Sequence, residues 1–178
     1  MSDLDRLSRL LAESSDPNNP SPETLASLIS RLSTLAVVGV SRDPQKPARR
    51  VPSYLAAKGL EIIPVNPNAS WILGRRARPT LAAVSEAVDL VLLFRPSEEA
   101  GVLVREGGER PERPALWLQE GIRDNAAASE ARSSGRTVVQ DLCLFKAHRC
   151  LRENRPDPII PRVRAGESSG GRGTGPRR

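Results

Sequence analysis

Leu35-Ala36-Val37-Val38-Gly39-Val40-Ser41-Arg42-Asp43-Pro44-Gln45-Lys46-Pro47-Ala48-Arg49-Arg50-Val51-Pro52-Ser53-Tyr54 decides how this chain folds. The run Leu35 to Val38 is apolar without alternation, as in a strand buried on both faces of a parallel sheet. It stops at Gly39, and small, polar and proline residues follow. A helical spacing resumes near Arg49, with Val51, Tyr54 and Leu55 on one side. Strand, glycine turn and helix open a nucleotide-binding α/β unit. The turn between them sits at the carboxyl end of a strand, where open α/β sheets hold ligands. A helix start there presents free backbone N–H groups and a positive dipole end, which suit a phosphate.

Working outward, the same alternation repeats. Towards the N-terminus, Leu4, Leu7, Leu10 and Leu11 predict a short amphipathic helix over 4–12, and residues 14–20 read as a polar linker. Ser21-Pro22-Glu23 is a helix start, with serine as cap and proline in the first turn. Towards the C-terminus, Lys58-Gly59 ends the helix after the glycine turn. Residues 61–65 form a second strand that runs into the turn Asn66-Pro67-Asn68. Trp71 to Gly74 is an apolar stretch in a loop, and Thr80 could cap a short helix through Val84. Further strands are predicted at 88–94, 115–118 and 137–139. Helices follow them at about 97–107, at 125–134 and from 144 to 151. Strand–helix alternation of this length implies right-handed crossovers. The expected fold class is α/β: a doubly wound, mostly parallel five-stranded sheet in a single domain.

Composition narrows the class. The 178 residues suffice for one domain with tails. Hydrophobic residues make up 38% and aromatics only 3%, so the core rests on Val, Leu, Ile and Ala. No apolar run approaches the roughly 20 residues of a membrane span. The N-terminus carries no visible secretory signal, so a cytoplasmic location is expected. The net charge is +6, but residues 152–178 hold seven arginines against three acids, so +4 of it lies there. The remainder is close to neutral, which argues against a nucleic-acid-binding domain. That tail has little apolar content and is expected to be disordered, with a weak nucleic-acid contact as its other reading. Cys143 and Cys150 are no disulfide framework, and with His148 as the single histidine there are too few ligands for zinc.

Four strand ends carry unusual residues: Gly39-Val40-Ser41, Val65-Asn66-Pro67, Phe94-Arg95-Pro96-Ser97 and Gln119-Glu120-Gly121. In a doubly wound sheet they meet on one edge and line one crevice. The first turn is not Gly-x-Gly-x-x-Gly, and the second strand ends in Asn-Pro rather than the acid that holds a nicotinamide ribose. Both features argue against NAD. Gly39 could face a ligand or simply make a tight turn, and Arg95 could meet a ligand or snorkel from its strand end. Trp117 reads as core. Cys143, Cys150 and His148 read as structural, because no nucleophile–base pair or metal set is visible.

The motifs Val-Val-Gly-Val-Ser-Arg-Asp-Pro, Ile-Ile-Pro-Val-Asn-Pro, Val-Asp-Leu-Val-x-x-Phe-Arg-Pro-Ser, Leu-Trp-Leu-Gln-x-Gly and Val-Val-x-Asp-x-Cys occur in that order. Together they resemble the small stand-alone CoA-binding proteins, which are similar to the CoA-binding domain of the succinyl-CoA synthetase alpha subunit. The resemblance covers about Thr34 to Leu151. With the helices before it and the arginine-rich stretch after it, the chain divides into an N-terminal helical arm (1–33), a CoA-binding domain (34–151) and a basic tail (152–178). The resemblance implies a Rossmann-like fold with coenzyme A or an acyl-CoA across the carboxyl edge. Gly39, Val40 and Ser41 should then face the cofactor, and Val65, Asn66 and Pro67 should approach its nucleotide. Phe94, Arg95 and Pro96 should flank adenine or pantetheine, with Gln119 to Gly121 on the far side. Arg42, Lys46, Arg49, Arg50 and Arg95 are the cations for its phosphates. Leu142 and Ala147 stand where the family often has Arg and Glu, which bears on the last helix more than on the cleft. The synthetase's second domain, with its phosphorylated histidine, has no counterpart. The expected function is therefore binding without catalysis of its own. The competing classes are an NAD(P)-dependent oxidoreductase or redox sensor, and a nucleic-acid-associated factor acting through the tail.

Overall fold

The computed structural model describes residues 1–152. The basic tail lies, from residue 153 on, outside the described residues. In chain order the elements are α1 (Asp3–Glu13), α2 (Pro22–Ser30), β1 (Thr34–Val38), α3 (Pro47–Ala57), β2 (Glu61–Val65), β3 (Trp71–Ile72), β4 (Arg75–Arg76), β5 (Leu90–Leu93), α4 (Ser97–Gly108), β6 (Ala115–Leu118), α5 (Asn125–Ser133), β7 (Val138–Val139) and α6 (Leu144–Arg152). Five strands form one parallel sheet in the order β2-β1-β5-β6-β7. The order runs outward in one direction from β1 to β2 and in the other from β5 to β7. The direction of winding therefore changes between β1 and β5: the chain leaving β1 runs to α3 on one face and the chain leaving β5 runs to α4 on the other, which leaves a crevice beyond their carboxyl ends.

The strands of the five-stranded sheet are buried on both faces along almost all their length, which explains their apolar sequences. Leu35, Val37, Leu90, Leu92 and Trp117 point to the side covered by α1, α2, α3 and α6. Ala36, Val38, Val91, Leu93 and Leu116 point to the side covered by α4 and α5. Alanines 127, 128 and 131 let α5 sit low on the sheet. At Gly107 an added Cβ would lie 2.7 Å from Leu116 Cδ2, so α4 approaches the sheet at backbone distance. Pro64 is tolerated because β2 is an edge strand. Its carbonyl accepts Arg78 N–H on the outer side, so its missing N–H costs no bond to β1.

Several local expectations are corrected. The third sheet strand is shorter than expected, Leu90–Leu93; Asp89, just before it, bonds β1 and β6 through its backbone and accepts the N–H groups of Ser33 and Thr34 on its carboxylate at 2.8 and 2.9 Å. Residues 71–76 form a hairpin rather than a loop, closed by Leu73 (φ 55°) and Gly74 (φ 69°). Both turn residues are left-handed, as a two-residue hairpin turn requires. Leucine rather than asparagine at the first position hid that signal. Thr80 caps a turn, not a helix: Ala83 N–H reaches its carbonyl and its hydroxyl. The segment 14–20 is tied to the end of β7 through Gln140, whose carbonyl accepts from Ser14 and Asn19. Leu7, Leu10, Leu25 and Ile29 of the arm enter the same core as β1 and β5.

Candidate functional site

The crevice at the winding change is built by the Gly39–Ser41 turn, and three bonds hold that turn. Gly39 N–H donates to Val65 O at 3.0 Å. Asn66 Nδ2 donates to Val40 O at 2.8 Å. Ser41 N–H donates to Ala48 O at 3.1 Å. The last bond has its cause in α3. Pro52 lies four residues after Ala48 and has no N–H to return to the Ala48 carbonyl, so that carbonyl is left for Ser41. A proline inside a helix thus positions the turn. Pro52→Ala restores a competing donor and is expected to raise α3 stability while weakening ligand binding severalfold. Calorimetric titration beside thermal unfolding checks this; unchanged affinity would remove the turn-setting role.

Two cavities open from the crevice. One, of ≈ 830 Å³, is lined by Gly39, Val40, Ser41, Val65, Asn66 and Pro67 on one side and by Phe94, Arg95 and Pro96 on the other. The other, of ≈ 900 Å³, runs under α3 to α6 and takes in Arg49, Arg50 and Gln119. Lys46, Ala48 and Phe94 line both, so the cavities meet at the start of α3. The structure therefore brings together thirteen of the fifteen residues expected at the cleft. Arg42 is exposed and lines neither cavity. Gly121 also lines neither; its N–H is held by Asp141 Oδ1 at 2.6 Å, and its neighbours Glu120 and Ile122 face the second cavity instead. Val40 and Val65 send their side chains into the core and offer the cleft only backbone.

Electrostatics divide the crevice. The first turn of α3 has no acidic residue and no side-chain cap. Among the described residues, the side chains of Lys46, Arg49 and Arg50 have no hydrogen-bonding or ion-pair partner. The start of α4 is the reverse, with Glu98 and Glu99 in its first turn. Arg95 is engaged there: Nε and Nη2 grip the two Glu99 oxygens at 2.9 and 2.7 Å. That pair holds the Glu99 carboxyl below its ordinary value. Negative charge is thus accepted at α3 and compensated at α4.

Gln119 is a brace. Nε2 donates to Cys143 Sγ at 3.1 Å and Oε1 accepts Leu144 N–H at 3.2 Å, which caps α6. Trp117 is fully buried, with Nε1 on Leu142 O. His148 is buried and its Nδ1 lies 3.1 Å from the Tyr54 hydroxyl. The sequence reading missed Tyr54, Ile122, Cys143 and Phe145 as cavity walls. The spacing of Phe145 and His148, three apart on one helix face, was the available signal.

Known proteins bear on this rim. Residues 33–149 match the family described as CoA binding domain. The uncharacterized protein YneT of Bacillus subtilis (strain 168) is 35% identical over 130 residues, which is 73% of this chain and 96% of that protein. The solved structure of cell-free ID.343 from Thermus thermophilus shares 34% identity at a TM-score of 0.67, covering 72% of this chain and 97% of that one. A hypothetical protein from Pyrococcus horikoshii OT3 has a TM-score of 0.71 over 78% of this chain and 97% of its own; at 24% identity it speaks for the fold alone. No helix among the described residues is long and apolar enough to cross a membrane. The family match starts just before β1 and ends inside α6, so it takes in every strand end on this rim: the chain belongs to the CoA binding domain family.

Proposed function

We propose that the protein binds coenzyme A or an acyl-CoA across the carboxyl rim of the sheet, as a cytoplasmic binding protein without catalysis of its own. One observation carries this reading. Among the described residues, Lys46, Arg49 and Arg50 stand without partners at the uncapped start of α3, where the two cavities join. A pyrophosphate there would meet the helix N–H groups and three cations at once. Each arm of the molecule then has a cavity of its own, the nucleotide beside Asn66 and Pro67 and the pantetheine towards Gln119. Asn66 speaks against a nicotinamide ribose in that place, since its amide is spent on Val40 O and its oxygen on Asn68 N–H. The single histidine, His148, is buried against Tyr54 and lines neither cavity, so it is not placed as a base for the cleft.

Titration of the full chain with CoA at moderate salt is expected to saturate, and NAD(P) is expected not to. Arg49→Ala and Arg50→Ala should each weaken CoA roughly tenfold, the size of one charged hydrogen bond lost in a partly solvated cleft. The loss should shrink as salt is raised. Saturable NAD(P) binding without CoA binding would overturn the proposal.

A further inference from the structure

The cavity between α3 and α6 is more apolar than a thiol-tipped arm alone would need. The chain has five aromatic residues: two Trp, one Tyr and two Phe. Tyr54, Phe94 and Phe145 all line this cavity, and all three are half-buried rather than packed away. Tyr54 and Phe145 meet edge to face at 4.6 Å, which fixes both rings as one wall. The Tyr54 hydroxyl is spent on His148, so it is not a free polar group for the cavity. Val51 and Cys143 add buried apolar surface to the lining, and Ile122 stands opposite α3 on the turn after β6.

The polar groups at this end are already satisfied within the protein. The Gln119 amide is taken by Cys143 and Leu144. Glu120 is paired with Lys146 at 2.8 Å. Ser53 Oγ donates to Arg49 O at 2.7 Å. The cations that have no partner among the described residues, Lys46, Arg49 and Arg50, lie at the start of α3, where the proposal places the phosphates. A bare thiol would leave the aromatic wall against water, whereas a hydrocarbon chain would cover it.

We infer that this cleft is built for a CoA thioester with an apolar acyl group, whose chain lies against Tyr54, Phe145 and Ile122. The inference rests on the CoA-binding reading and adds the class of acyl group. Burying one methylene is worth about fourfold in affinity. Hexanoyl-CoA has four methylenes more than acetyl-CoA, so even half-burial predicts a preference of at least roughly tenfold.

The test is calorimetric titration of the full chain with CoA, acetyl-CoA, hexanoyl-CoA, succinyl-CoA and adenosine 3′,5′-bisphosphate. The expected order has hexanoyl-CoA at least roughly tenfold tighter than CoA, acetyl-CoA and succinyl-CoA. Phe145→Asn, which places a polar group in the wall, should bring the hexanoyl-to-acetyl ratio close to one. Ser53→Leu, which fills the cavity from α3, should do the same by a different route and guards against a folding defect in the first variant. Binding of CoA with a flat acyl series, or with succinyl-CoA tightest, overturns the inference and leaves the CoA reading standing. Loss of adenosine 3′,5′-bisphosphate affinity in Phe145→Asn as large as that of hexanoyl-CoA also overturns it, by putting the nucleotide in this cavity. Failure of every CoA species to bind overturns the underlying reading as well.

Discussion

Replacing Gly39 by alanine is expected to lower stability by about 2–4 kcal/mol and to abolish measurable CoA binding. Two costs add. Gly39 has φ +82°, a left-handed conformation that costs an L-residue roughly 1–2 kcal/mol. An added Cβ would also sit 2.9 Å from Arg95 Cδ and 3.2 Å from the carbonyl carbon of Phe94. The arginine stem can swing aside, but the Phe94 backbone is held by its N–H on Val38 O at 2.9 Å. Relief of the contact therefore has to spread β1 and β5 at their carboxyl ends, where the crevice lies. Gly59→Ala is the control. Its φ is +89° with no atom within 4 Å of the added Cβ, so it carries the conformational cost without the contact. Thermal unfolding should fall by roughly 5–12 °C for Gly39→Ala and by clearly less for Gly59→Ala. Equal losses would mean that the close approach of the two turns contributes nothing. Retention of CoA affinity in Gly39→Ala would separate the turn from the ligand.

Gly39 also shows how far the sequence could be read. A lone glycine after Leu35–Val38 announces a turn at a strand end, and that follows from the apolar run and the loss of side chain. Which residues crowd the glycine does not follow, because Phe94 and Arg95 arrive from a strand more than fifty residues away. The parallel sheet was legible for a related reason. Burial on both faces leaves runs such as Leu90–Leu93 and Ala115–Leu118 with no alternation to confuse. The strand ends were legible because glycine, proline and asparagine interrupt those runs. Charge placement was less so. Arg95 looked like a phosphate ligand, but Glu99 lies one helical turn on and takes the guanidinium. Tyr54 and Phe145 belong to helices whose spacing shows an apolar face, and spacing does not separate a core face from a cavity wall. The hairpin at 71–76 was hidden by the leucine in its turn, whereas the docked segment 14–20 was hidden because its partners, Gln140 and Asp141, are distant in sequence.

Asp16 gives the second large effect. Asp16→Ala is expected to cost about 2–4 kcal/mol, although the residue lies in a stretch that reads as linker. Its carboxylate is almost fully buried, and Oδ2 accepts from Arg132 Nη2 at 2.8 Å and from Gln140 Nε2 at 2.9 Å. Gln140 is itself fully buried and bonded through its N–H to Asn19 Oδ1. Removal of the carboxylate leaves a cation and an amide short of their acceptor. Arg132 keeps its bond to Val138 O, which holds the cost below that of a fully buried pair. The same geometry sets a pH dependence. Burial pushes the Asp16 carboxyl up, but the Arg132 and Gln140 hydrogen bonds outweigh it, and the group stays below its ordinary value of 3.8. The unfolded chain thus takes up the proton first as pH falls. The stabilisation from Asp16 is complete above about pH 4 to 5 and is lost as pH drops towards the lower folded value. Asp16→Asn carries no proton to titrate. The stability gap between wild type and Asp16→Asn, measured by urea unfolding, should therefore be widest at neutral pH and narrow steadily below about pH 4. A gap of constant size from pH 7 to pH 3 would mean that the charge itself contributes nothing. The segment would then be held by shape and neutral hydrogen bonds alone. The outcome reaches the cleft, because Asp141, beside Gln140, accepts from Ser15 N–H on one side and Gly121 N–H on the other. The linker that Asp16 anchors is thereby tied to the turn carrying Glu120 and Ile122, so loosening it should weaken ligand binding along with the fold.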